Sequence, residues 1–190
     1  MSVSQKRQTY AERSRRGDVA SAFAAWLAEA NGHHAEVLPK SQCPPNLPWV
    51  RDWYKDDGDI VVGKWMVQTK WPTVVWTQRS DFPFKYMMVD EWHKAQKSVR
   101  RGAVAYWVFS GNMKSLAICK TAYHRHWIQE GRYNGDPDQK RTIEYAMCPL
   151  DLIEWRPITP EIVAEAVAWG VIPPPYSQML PYIEARQESE

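Results

Sequence analysis

Hydrophobic and polar positions along this 190-residue chain repeat at helical spacing in three places. Apolar residues recur every three to four positions over 18–30 and 86–101, and both segments end at glycine or Asn-Gly. A third helix is predicted over 160–170, with Thr159 as the N-cap and Pro160 as the first helical residue. The pattern therefore predicts three helices separated by other structure.

Runs rich in β-branched and aromatic residues predict the strands between these helices. A short strand is expected at 35–38, and a hairpin at 59–62 and 65–70, where Gly63 at the first loop position favours a type II′ turn. A second hairpin is expected around Gly111 and Asn112, then a polar loop over 131–141 and one or two strands over 142–155. This order predicts an α/β or α+β fold with a small mixed β-sheet flanked by helices.

The length and composition are typical of one ordinary globular domain. We expect a basic N-terminal segment (1–15), one domain (16–171) and a Pro-rich tail (172–190) that is extended or disordered. No apolar run approaches membrane-spanning length, so no membrane partner is expected. Three scattered cysteines and an N-terminus without a hydrophobic segment lead us to expect a reducing, cytoplasmic environment.

The net charge of +2 does not by itself indicate nucleic-acid binding, but basic residues cluster at 6–16 and 94–101. A third segment, 121–133, mixes aromatic rings with cations. The alternatives are solvated helix faces and a strand-edge loop that packs Trp127 inward. The candidate nucleic-acid-binding residues are Arg16, Lys94, Lys97, Arg100, Arg101 and Arg125.

Polar residues gather at one end of the first hairpin. If Gly63 and Lys64 form a two-residue loop, Asp59 lies opposite Gln68, and Lys70 points to the same face. A carboxylate and an amide oxygen suit Mg²⁺ or Mn²⁺. The alternative is an exposed hairpin end at which the charged side chains face water.

A helix, then Asp-x₈-Gln-x-Lys across a hairpin (GDIVVGKWMVQTKW), then a helix and further strands resembles the PD-(D/E)XK nuclease superfamily over residues 16–120. The Holliday-junction-resolvase-like and Mrr-like branches, which include small phage-encoded proteins, are the most similar. The resemblance implies a restriction-endonuclease-like αβββαβ core and a Mg²⁺-dependent endodeoxyribonuclease that acts on branched or duplex DNA. It also implies a homodimer and, for a phage-encoded protein, the host cytoplasm.

The same resemblance implies a role for each residue of the hairpin. Asp59 would be the principal metal ligand and Gln68 the second, with the backbone carbonyl of Thr69 as a third. Lys70 would be the catalytic lysine. Gln96, on the following helix, would be a supporting polar residue.

One position departs from the family pattern. The first helix of these nucleases often carries a glutamate about four residues after a basic-glycine pair, whereas here Arg16 and Gly17 precede Ser21. Asp18 either supplies the missing carboxylate or is the acidic residue that the helix dipole favours near an N-terminus. The departure leaves a second function open, in which a catalytically degenerate nuclease fold serves as a DNA- or protein-binding module.

Overall fold

This computed structural model describes residues 10–39, 59–134, 141–174 and 176–180. The helices are α1 (Tyr10–Ala30), α2 (Trp92–Arg100) and α3 (Pro160–Ala168). The strands are β1 (Ala35–Val37), β2 (Ile60–Val62), β3 (Trp65–Lys70), β4 (Tyr86–Glu91), β5 (Ala103–Phe109), β6 (Ser115–Lys120), β7 (Ile128–Asn134), β8 (Arg141–Pro149) and β9 (Ile153–Pro157). No helix in the described ranges is both long enough and apolar enough to cross a membrane.

The strands form two sheets. The larger has the order β1-β2-β3-β5-β6-β9, and its only parallel pair among the described strands is β3 with β5. The smaller is antiparallel, with the order β4-β8-β7. The prediction of an α+β fold with a mixed sheet is therefore confirmed.

Two hydrophobic cores hold the layers together. One lies between the larger sheet and helices α1 and α3, and it includes Phe23, Val67 and Val163. The other lies between the two sheets and includes Val89 and Tyr106. The larger sheet is thus buried on both faces, which explains why its central strands are apolar almost throughout.

The hairpins follow the predicted patterns closely. In β2 and β3, Val62 pairs with Trp65 and Ile60 with Val67, and Gly63 has the positive φ of 59° that the first position of a II′ turn requires. Strands β5 and β6 form the second predicted hairpin. Helix α3 starts at Pro160 as predicted.

The prediction of one helix over 86–101 was wrong in its first third. Residues 86–91 form β4, in which Met87 and Val89 are buried whereas Met88 between them is exposed. This alternation has the period of a strand, and pairing with β8 buries one face of it. Only Trp92–Arg100 is helical. The prediction failed because the apolar positions of 86–101 fit the period of a helix as well as that of a strand.

Three further boundaries differ from the expectation. Helix α1 begins at Tyr10 instead of residue 18, and residues 131–134 belong to β7 instead of a loop. The tail is packed as far as it is described: Ile172 and Leu180 are buried in the first core, and the ring of Tyr176 contacts Trp71. The remaining parts of these predictions (1–9, 135–140 and 181–190) lie outside the described residues.

Candidate active site

The carboxylate of Asp59 ends the pairing of β2 with β3. Its Oδ2 accepts a hydrogen bond of 2.6 Å from the backbone N–H of Thr69 and one of 3.2 Å from the Thr69 hydroxyl. The Asp59 N–H itself donates to the carbonyl of Val67. The carboxylate thus takes the place of a backbone acceptor at the hairpin end, and Asp59 is half-buried instead of freely exposed.

Gln68 and Lys70 alternate with Thr69 and face the smaller sheet. Gln68 lies beside Tyr106 of β5 and is only 1% exposed. Its amide forms no hydrogen bond to the residues that the structure describes.

Lys70 forms an ion pair that the sequence did not predict. Its Nζ lies 3.0 Å from Oδ2 of Asp90, and the two side chains are 34% and 9% exposed. Burial lowers the pKa of Lys70, but the charges of Asp90 and Asp59 and the hydrogen bond to Asp90 more than offset it, so the pKa is raised. Lys70 is therefore held protonated.

Helix α1 reaches the site through Ser21. The Ser21 hydroxyl lies 2.9 Å from the Thr69 hydroxyl, which in turn donates to Asp59, and Ser21 also donates to the carbonyl of Gly17. Ser21 therefore connects α1 to Thr69 and, through Thr69, to Asp59. A neutral hydroxyl stands where a carboxylate was expected.

The sequence also predicted two supporting residues, Asp18 and Gln96. Asp18 is exposed and lines a shallow surface groove with Trp26 and Val171. Because α1 begins at Tyr10, Asp18 lies in the interior of the helix and not in its first turn. Gln96 is half-buried on α2 and forms no side-chain hydrogen bond within the described residues.

Arg16 is a structural residue and not a surface cation. It is only 4% exposed, and its guanidinium donates to the backbone carbonyls of Trp71 and Pro72 at 3.1 and 2.9 Å. Its Cζ lies 4.2 Å from the ring centroid of Trp71. Burial lowers the pKa of Arg16. Because the side chain is buried, the prediction that Arg16 contacts nucleic acid does not hold.

The other basic candidates are accessible. Lys94, Arg100 and Arg101 are exposed on α2 or just after it, Lys97 is half-buried, and Arg125 is exposed in the short 3₁₀ helix Thr121–His126. A hydrogen bond of 2.6 Å from Thr121 to the carbonyl of Ala103 anchors that turn beside the end of α2.

The aromatic residues of the segment 121–133 differ in their burial. Trp127 packs inward against Tyr106, as one of the alternatives held, whereas Tyr123 stays 43% exposed. In addition, the sequence between Glu91 and Glu130 contains no acidic residue. This absence of acidic residues is a sequence signal that was missed, and it marks α2 and the 3₁₀ helix as a basic region.

The oxygen donors at this end of the hairpin suit a hard divalent cation. Asp59, Gln68 and the carbonyl of Thr69 supply a carboxylate, an amide and a backbone oxygen, which is the chemistry that Mg²⁺ or Mn²⁺ prefers. In the described part of the chain, no three His, Cys, Asp or Glu side chains are grouped so that they could hold a metal. A cation would therefore depend on neutral oxygens and water for most of its ligands.

Comparison with protein-family models, curated proteins and solved structures finds no match. A function therefore has to be inferred from the residues of this chain.

Proposed function

We propose that this protein is a Mg²⁺-dependent endodeoxyribonuclease of the Holliday-junction-resolvase-like or restriction type. The observation that carries the proposal is the hairpin register, which brings Asp59 beside the Gln68-Thr69-Lys70 run. The element order supports it. Leaving aside β4, which joins the other sheet, the chain runs α1-β1-β2-β3-α2-β5, with β5 parallel to β3. That order resembles the αβββαβ core of the PD-(D/E)XK nucleases.

Each residue at the hairpin end has a defined task in this proposal. Asp59, Gln68 and the carbonyl of Thr69 would hold Mg²⁺ or Mn²⁺. When bound, such an ion activates water and neutralises charge on a phosphodiester. Lys70 contributes a fixed positive charge that stabilises the extra negative charge of the phosphate in the transition state.

The substrate in this proposal is branched or duplex DNA. Lys94, Lys97, Arg100 and Arg101 of the α2 region, together with Arg125, would contact the phosphate backbone and position the DNA without reading its sequence. A homodimer in the cytoplasm, which the family resemblance implies, belongs to the same proposal.

A second candidate is a DNA-binding module that has lost catalysis. It is favoured by Ser21, which places a hydroxyl where a carboxylate was expected, and by the two hydrogen bonds from Thr69 that already engage Oδ2 of Asp59. Such a protein would keep the basic region and bind DNA without a metal.

A cleavage assay decides between the two. Four-way junction, duplex and single-stranded DNA are incubated with Mg²⁺ or Mn²⁺ and the wild type, Asp59→Asn or Lys70→Ala. Asp151→Asn, which changes an exposed carboxylate in another part of the surface, is the matched control. We expect metal-dependent cutting by the wild type and the control, and a loss on the order of 100-fold or more in the other two variants.

Other results point elsewhere. Retention of DNA in a gel shift without cutting under either metal would establish the binding module. Absence of both cutting and binding at low salt would refute both functions.

A further inference from the structure

A β-bulge directs Asp90 towards Lys70. In the pairing of β4 with β8, Met88 lies opposite Met147 and Asp90 opposite Ala146, so Val89 has no partner of its own. In a regular strand Asp90 would point away from the face that Val89 occupies. The extra residue lets both side chains turn inward, which is a known use of bulges next to functional sites.

Both oxygens of the Asp90 carboxylate are engaged. Oδ2 contacts the Lys70 ammonium at 3.0 Å, and Oδ1 accepts a hydrogen bond of 2.9 Å from the N–H of Glu91, the residue at which β4 ends and α2 begins. The carboxylate is thus fixed at both oxygens and joins the smaller sheet to the larger one. Stability alone is a weak reason for such a pair, because largely buried ion pairs are often no better than apolar contacts.

We propose that Asp90 is a positioning residue that holds the Lys70 ammonium in place and directs it at the phosphodiester bound beside Asp59 and Gln68. This inference rests on the proposed function. It specifies the part that Lys70 plays, which is that of a positive charge held at one position by the Asp90 carboxylate.

The Lys70 ammonium lies between the two sheets. Asp90 on β4 contacts Nζ at 3.0 Å, and the Tyr106 ring on β5 lies 5.9 Å from Nζ. Its position is therefore set from both sheets, and Asp90 supplies the ion pair from the smaller one.

The experiment compares the cleavage kinetics of the wild type, Asp90→Asn, Asp90→Glu and Lys70→Ala. Asp90→Asn should cleave DNA on the order of 10- to 100-fold more slowly than the wild type. The DNA affinity of Asp90→Asn should change less than about 2-fold, because this substitution removes no contact with the DNA backbone.

A double variant separates positioning from a merely structural effect. If Asp90 acts through Lys70, adding Asp90→Asn to Lys70→Ala lowers the rate no further, and Asp90→Glu restores part of the rate that Asp90→Asn loses. Independent, additive losses, or an Asp90→Asn rate equal to the wild type, would overturn the inference. Should Asp90→Asn fail to fold, Asp90→Glu takes its place, and an Asp90→Glu rate equal to the wild type overturns it as well.

The two proposals fail in different ways. If the wild type cuts no DNA, the proposed nuclease function falls and the catalytic role of Asp90 falls with it. If the wild type cuts DNA and Asp90→Asn cuts it at the same rate, only the role of Asp90 is refuted.

Discussion

Replacing Arg16 by alanine should destabilise the protein strongly, because this cation holds the chain that follows β3. The substitution removes two hydrogen bonds from a charged donor to the carbonyls of Trp71 and Pro72, each with a net value of about 1.5–3 kcal/mol. It also removes a cation–π contact of about 0.5–2 kcal/mol with the Trp71 ring. The alanine variant no longer bears the cost of burying a guanidinium, which offsets part of this sum.

We expect a net loss of about 2–4 kcal/mol, or a fall in Tm of about 4–16 °C for a chain of this length. The measurement is urea and thermal unfolding of Arg16→Ala beside Arg15→Ala, the exposed neighbour on the same helix. The control should change stability by less than about 0.5 kcal/mol. Equal effects of the two substitutions would refute the structural role of Arg16 and would indicate that its side chain is exposed.

Three further predictions concern other parts of the chain. Gly111→Ala should cost about 1–3 kcal/mol in urea unfolding, because its Cβ would lie 2.6 Å from the backbone carbonyl oxygen of Thr73. With the third cysteine replaced by serine, the free thiols of Cys119 and Cys148 should resist a thiol reagent until the protein unfolds. Both are buried, and hydrogen bonding to Cys148 and burial raise the pKa of Cys119; rapid labelling of the folded protein would contradict this. Arg125→Ala should reduce the salt slope of DNA binding by about 0.9, and an unchanged slope would exclude a phosphate contact.

The elements that could be predicted from the sequence are those fixed by local signals. A glycine at the first loop position set the register of the first hairpin, and Thr159 with Pro160 set the start of α3. Turn geometry and helix starts depend on a few neighbouring residues, so one sequence is sufficient to predict them.

The errors arose where distant contacts decide the structure. Residues 86–91 have apolar side chains that fit a helix as well as a strand, and only pairing with β8, more than fifty residues later, selects the strand. The prolines of the tail predict an extended or disordered segment, but Ile172 and Leu180 are buried in the core. No local pattern distinguishes these outcomes.

The candidate site shows the same division between local and distant causes. Asp59, Gln68 and Lys70 were predictable because one hairpin carries all three, whereas Asp90 comes from the other sheet and reaches Lys70 only through a bulge.

Charge clusters were the least informative signal. Arg15 and Arg16 are adjacent and equally basic in the sequence, yet Arg16 is buried against Trp71 whereas Arg15 is exposed. A cationic residue in a basic cluster can therefore be assigned to DNA only after its burial is known. By that criterion Lys94, Arg100, Arg101 and Arg125 remain candidates for DNA contact and Arg16 does not.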